Sequence, residues 1–320
     1  MRPGFRGVPV TGGIEVEIGV MANIGDKAGL AGIVEQVRSL ADAGVRTVWF
    51  PQLLGMDALT AIALAGAEVP DVTLGTAVVP TWPRHPMVLA GQALTTQAAT
   101  GGRLVLGVGL SHQLVIEGMM GIPYAHPARH MREYLTVLRA LVNDGTVDFA
   151  GETLRATTMM GPFQVPGATP FPILVAALGP AMLRLAGELS EGTLTWMGGR
   201  SVVENRIVPS ITEAAEAAGR PAPQVVVGLP VCVTADVDAA RERAARQFAG
   251  YGNLPAYRRL LDEEKADGPA DVAVAGDEEA VAAQIRGFFD AGATGFLAGP
   301  FGSAPEREAT VRLLGRLASG

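Results

Sequence analysis

Lysine is almost absent from this chain, being present only as Lys27 and Lys265, so arginine carries nearly all of the positive charge. Lys and Arg together number 25 against 32 Asp and Glu, a formal net charge of -7. That balance repels a phosphate backbone, and no cluster of basic and aromatic residues relieves it locally, so nucleic acid is excluded as a partner. Cysteine is limited to Cys232, which rules out an internal disulfide and fits a reducing cytoplasm; inside an apolar run the thiol reads as a small core hydrophobe. Long hydrophobic runs are missing too. The stretch 225–234 is about half of what a membrane-spanning helix needs, and Gly228 and Pro230 interrupt it. Residues 1–13 carry Arg2 and Arg6 but no apolar segment, and are expected to be a flexible leader and no export signal. What is abundant is apolar: 48% of residues are hydrophobic and 18% charged, which describes a globular chain with a large core. The 41 glycines follow the same compositional bias as the scarce lysine, and they inform only where they cluster after strands.

Strand-like and helix-like periods alternate along the whole chain. Strands are expected over 16–21, 46–50, 73–79, 103–108, 173–177, 193–197, 225–233 and 295–298. Between them, Leu30, Ile33, Val34, Val37, Leu40 and Ala41 share one face of a first helix that Gly44 ends. Further helices are expected over 57–68, 86–100, 128–142, 180–189, 201–218, 278–290 and 306–317, with two more between 236 and 267. A short hairpin over 147–159, turned at Gly151, reads as an insertion. Eight βα units with no Pro/Ser-rich linker imply a single domain, 14–320, with a parallel sheet closed as a (β/α)8 barrel.

A barrel carries its active site at the carboxyl ends of its strands. The residues there are Asn23, Gln52, Thr81, Ser111, His112, Leu178, Gly179, Gly198 and Arg200. Carboxylates are nearly missing from this set, which argues against paired-acid glycoside hydrolysis and against a hard metal site. Chemistry carried by a bound cofactor needs few ionisable side chains. Two segments suit a phosphate. Ala176-Ala177-Leu178-Gly179-Pro180 and Thr195-Trp196-Met197-Gly198-Gly199-Arg200 each lead from a strand into a helix through small residues, so backbone N–H groups and the helix dipole meet an anion there. The bland alternative is a pair of tight connections with glycine caps.

Gly107-Val108-Gly109 opens like a dinucleotide fingerprint, but His112 stands where the third glycine belongs and no acidic residue follows at the required distance. Among the four histidines, His126 and His130 are four apart yet lack a third ligand. His85 precedes Pro86 and reads as a cap. His112, at the mouth, is the candidate acid or base, against the alternative of a histidine hydrogen-bonded in the wall.

Together these segments resemble the luciferase-like monooxygenase superfamily, and within it the branch that uses coenzyme F420, an 8-hydroxy-5-deazaflavin. The resemblance is carried by Ala43-Gly44-Val45-Arg46-Thr47-Val48-Trp49, by Leu74-Gly75-Thr76-Ala77-Val78-Val79-Pro80 with Arg84-His85-Pro86, by Thr100 through Gly109 (TGGRLVLGVG), and by Ile173 through Pro180. It implies a cis peptide bulge at Ala77-Val78 behind the cofactor ring. It also implies phosphate contacts from Ala176 to Gly179 and from Thr195 to Gly198, and a homodimer. Asn23, Thr76, Gly109, Ser111 and Arg200 complete the expected cofactor surface. Gln52-Leu53 replaces the Asp-His pair found after the second strand in many F420-dependent dehydrogenases, and His112 replaces the family's carboxylate after the fourth.

Those departures favour a reductase that delivers hydride to an electron-poor C=C or C=N bond of a small organic substrate, with His112 or water as proton source. An FMN-dependent monooxygenase on the same fold and a non-catalytic deazaflavin-binding protein are the alternatives. FMN ends at its phosphate, whereas F420 continues into an anionic lactyl-glutamyl tail, for which Arg84, Arg129 and Arg200 are the available cations.

Overall fold

The computed structural model describes residues 17–25, 29–52 and 54–319. The leader 1–13 and Leu53 lie outside the described residues. Eight parallel strands form the centre: β1 (Glu17–Met21), β2 (Thr47–Phe50), β3 (Thr73–Thr76), β4 (Leu104–Gly109), β5 (Ile173–Val175), β6 (Gly192–Trp196), β7 (Gln224–Val233) and β8 (Gly295–Pro300). Each pairs with its neighbour in sequence, β8 pairs with β1, and the ring closes into a barrel.

The helices between strands form the outer layer. They are α1 (Gly29–Asp42), α2 (Ala58–Glu68), α3 (Pro86–Ala99), α4 (Pro127–Asn143), α5 (Pro180–Leu189), α6 (Val208–Ala217), α7 (Val237–Gln247), α8 (Pro255–Glu264), α9 (Glu278–Asp290) and α10 (Ala304–Ala318). Their starts are chemically marked. Asp57, Asp236 and Asp277 cap α2, α7 and α9 by accepting a backbone N–H three residues on, and Pro86, Pro127, Pro180 and Pro255 open α3, α4, α5 and α8. Gly44, at φ 95°, ends α1 in the left-handed region.

Two cores result. Outward-facing strand residues pack under the helices, while Trp49, Val105, Leu174, Leu194, Val226 and Leu297 fill the barrel interior. Trp49 is the bulkiest of these and decides its neighbours' identities: a Cβ at Gly19 on β1 or at Gly75 on β3 would overlap the indole. Burying a side chain of this size removes on the order of 200 Å² from water, worth about 5 kcal/mol, and the two glycines are the condition for it.

Four local features differ from the sequence expectation. The third strand is not continuous over 73–79. It stops at Thr76, the Ala77–Val78 peptide is cis, as the family resemblance implied, and Val79–Pro80 resumes pairing with Val108 and Gly109 of β4. The helix expected over 201–218 is in three pieces: Arg200–Val202, a wide π turn at Val203–Ile207, and α6. Pro209 explains this, because it has no N–H for the carbonyl four residues back and its ring would clash there. Between 236 and 267 a third, short helix, Ala249–Gly252, joins α7 and α8. Finally, Val274–Gly276 is a strand too short for periodicity to reveal, pairing with the end of β7. The hairpin Asp148–Ala150 with Arg155–Thr157 lies off the barrel, pinned by Glu133, whose carboxylate accepts the N–H groups of Glu152, Thr153 and Leu154. Among the described residues, no helix is long and apolar enough to cross a membrane.

Candidate active site

The floor of the barrel mouth is the uppermost interior layer: Met21, Ala77, Val78 and Trp196, half-buried above the inner core. Its shape follows from two glycines on β4. A Cβ at Gly107 would overlap the Thr76 carbonyl, and one at Gly109 would stand 2.7 Å from a Val78 methyl and 3.1 Å from the Ala176 Cβ. The Thr76 hydroxyl locks the bulge by donating to the Gly107 carbonyl and accepting its N–H, at 2.8 and 2.9 Å. The Gly-Val-Gly motif therefore serves close backbone packing. Thr76, Ala77, Val78, Gly109 and Ala176 thus form one connected surface.

Beyond Ala176, α5 begins. Gly179 is its N-cap, with no side-chain cap, and the first intrahelical bond is Leu183 N–H to the Gly179 carbonyl at 3.0 Å. The N–H groups of Leu178 and Gly179 have no acceptor among the described residues, and a Cβ at Gly179 would meet nothing within 4 Å. Open N–H groups at the positive end of a helix are what an anion requires.

The segment after β6 behaves differently. Thr195 is buried, its hydroxyl facing the Val226 carbonyl at 3.5 Å, and Met197 turns the chain at φ 59°. The helix start behind Gly198 and Gly199 is already occupied by the carboxylate of Glu264 from α8, which accepts the N–H groups of Ser201 and Val202 at 3.1 and 2.9 Å. The Arg200 guanidinium packs against Gly287 of α9, in the helical layer. The two segments that read alike in sequence are therefore unlike in space, one open to an external anion and the other closed by an internal one.

Ser111, at φ 58°, and His112 leave β4 and enter a cleft of about 760 Å³ whose opposite side is Leu254, Ala256 and Arg259. His112 is half-buried, makes no capping bond, and burial depresses its pKa below the ordinary histidine value. Its ring lies 5.9 Å from that of Tyr257, which is 5.0 Å from Tyr251, which is 6.2 Å from Trp196. This aromatic wall links the β4 loop to β6 through α8 and the short helix before it, and its tyrosines were not among the sequence candidates. The signal was present: the chain has four tyrosines. Tyr251 and Tyr257 are in this wall, while Tyr124 and Tyr134 surround Trp82 and His130 beside it.

The remaining candidates are engaged locally. Asn23 accepts the Gly25 N–H at 3.2 Å and belongs to its own turn. Gln52 accepts the Ala58 N–H at 2.8 Å and so steadies the start of α2. His85 caps α3, accepting the Met87 N–H at 3.3 Å. His126 sits at φ 52° before α4, whereas His130 is buried flat against Trp82, ring centroids 3.8 Å apart. Among the described residues no three His, Cys, Asp or Glu side chains gather as a metal set.

A closed parallel barrel whose mouth has an apolar floor and an open helix start defines a (β/α)8 protein with a candidate anion site. The profile of the luciferase-like monooxygenases matches residues 12–295, and the chain belongs to that family. A Mycobacterium tuberculosis protein of uncharacterised function is 33% identical over 65% of this chain, and the match spans 64% of that relative's length, just under two thirds. An F420-dependent glucose-6-phosphate dehydrogenase of Nakamurella multipartita is 30% identical over 72% of both chains. A 5,10-methylenetetrahydromethanopterin reductase of Methanopyrus kandleri is 25% identical over 80% of this chain and 84% of its own. The solved F420-dependent tetrahydromethanopterin reductase of that organism superposes with a TM-score of 0.78, at 22% identity, covering 94% of this chain and 98% of that one. An F420-dependent secondary alcohol dehydrogenase gives 0.77 at 20% identity, covering 96% and 99%. At such identities the structural likeness establishes the fold.

Proposed function

We propose that this protein is an F420-dependent oxidoreductase that reduces an electron-poor C=C or C=N bond of a small organic substrate. The observation that carries the reading is the continuity from the Ala77–Val78 bulge through Gly109 and Ala176 to the open N–H groups of Leu178 and Gly179. It offers a flat apolar support for a ring and an anion cradle one strand away, which is the demand of a phosphorylated flavin or deazaflavin.

The bound deazaflavin supplies hydride chemistry, and the protein's part is positional and protic. Met21, Ala77, Val78 and Trp196 would support the ring, and the start of α5 would hold the phosphate. The wall of Trp196, Tyr251 and Tyr257 narrows access by water. His112 stands where the barrel mouth opens into the cleft. With its pKa depressed, its imidazole is neutral at pH 7, so it delivers a proton from the protonated minority and regains it from solvent.

FMN satisfies the same floor and cradle, so the two cofactors are separated by titration. Fluorescence titration of the purified protein with F420 and FMN side by side, followed by turnover of electron-poor alkenes and imines with reduced F420, tests the reading. Micromolar binding of F420 with turnover supports it. Preference for FMN moves the protein to the monooxygenase reading, and F420 binding without turnover of any acceptor leaves a deazaflavin carrier.

A further inference from the structure

Of the three guanidiniums that the sequence offered for an anionic cofactor tail, Arg84 is paired with Asp57 and Arg129 with Glu152, while Arg200 lies on Gly287 of α9 and does not line the cleft. A fourth does line it. Arg259 of α8 is exposed on the cleft that begins at Ser111 and His112, and no carboxylate among the described residues stands within ion-pair distance of it. Its single hydrogen bond is from Nε to the Pro255 carbonyl, 3.3 Å away and one turn back on its own helix, which leaves both terminal nitrogens to other partners.

Glu117, on the cleft's other side, does not neutralise it. One Glu117 oxygen accepts the Tyr124 N–H at 2.9 Å and the other the Gln113 side-chain amide at 2.8 Å, so this carboxylate is consumed in shaping its own loop. In a chain of net charge -7, an uncompensated guanidinium beside a cleft of about 760 Å³ is a local positive focus, and a cleft of that size accepts an extended chain. The guanidinium fork matches a carboxylate better than any other side chain does.

We propose that the cleft between the β4 loop and α8 takes the glutamyl tail of the deazaflavin, with Arg259 binding a tail carboxylate. The proposal rests on the F420 reading and adds to it where the cofactor leaves the barrel. The cleft starts two residues past Gly109, which packs against the bulge, so ring floor and tail groove share one strand end.

The test compares wild type with Arg259→Gln and Arg259→Glu, titrated with F420 bearing glutamyl residues and with the same deazaflavin ending at its lactyl phosphate. At low ionic strength Arg259→Gln is expected to weaken the glutamylated form about threefold and Arg259→Glu about tenfold, with the lactyl form unchanged. Both losses shrink as salt is raised. Equal losses for the two forms assign Arg259 to the phosphate or to the fold and overturn the proposal. No loss with either form also overturns it, and is the result expected if Arg259 serves a substrate carboxylate. Failure of wild type to bind even the lactyl form removes the F420 reading and the tail site with it, an outcome visible before any variant is made.

Discussion

The Glu264 carboxylate accepts the Val202 N–H at 2.9 Å, so α8 closes with its last residue a helix start that the chain would otherwise offer to an anion. The pair is 62 residues apart in sequence, and it divides two similar phosphate segments into one that is available and one that is not. Replacing Glu264 with alanine removes a charge-assisted cap and is expected to cost about 1 to 2 kcal/mol in urea unfolding. Cofactor affinity is expected to stay within about twofold of wild type, because the proposed phosphate site is at α5. A large gain in affinity would show that the segment after β6 binds phosphate once it is vacated.

Gly179 provides the complementary experiment. Its φ of -103° and ψ of 161° are extended values open to any residue, and a Cβ there meets nothing within 4 Å. Gly179→Val should therefore fold normally while placing a branched side chain at the proposed phosphate site. The expected result is at least a tenfold loss in F420 affinity with an unchanged melting temperature. Equal affinity in the variant would move the phosphate elsewhere.

His112 is testable through its pH dependence. Burial lowers its pKa, so the protonated form becomes scarce as pH rises past a value below the unperturbed one near 6.5. If His112 is the proton donor, kcat/KM for substrate reduction falls as pH rises through that lowered pKa, and the limb vanishes in His112→Asn. The variant is expected to lose roughly a hundredfold in turnover with F420 affinity little changed. Weakened F420 binding with normal turnover at saturation would instead make His112 part of the cofactor wall.

The eight strands and most helices were legible because apolar period and caps agree locally: Asp57, Asp277 and Gly44 mark ends that the structure keeps. The floor of the mouth was legible only through family resemblance. The requirement that ties Gly107 and Gly109 to Thr76 and Val78 is a contact across some thirty residues of sequence, and no period reports it. The same holds for the role of Glu264 and for the tyrosine wall. Glu264 and Tyr257 come from α8 and Tyr251 from the short helix before it, segments whose residues look ordinary until their neighbours in space are known. The break at Val203–Ile207 could have been read from Pro209, which a continuous helix over 201–218 cannot accommodate without widening.

His130 carries the last prediction, which concerns stability. It is buried between Trp82 and Tyr134, its Nε2 is 3.0 Å from the Thr81 hydroxyl, and burial lowers its pKa to about 4 even though Glu133 opposes the shift. In the unfolded chain the same imidazole titrates near 6.5. Above that value both states are neutral and the group contributes no pH dependence. Between 6.5 and 4 the unfolded state binds a proton that the folded state refuses, so stability falls as pH falls, and the loss is complete below the folded pKa. After allowance for partial solvent screening, the effect is expected to be about 1 to 2 kcal/mol. His130→Phe keeps an aromatic ring against Trp82 but cannot titrate. Urea unfolding of both proteins at pH 7 and pH 4.5 isolates this one group, since the carboxylates common to both cancel in the difference. Wild type should lose about 1 to 2 kcal/mol more than the variant over that interval, and equal losses would mean that His130 is protonated inside the folded protein.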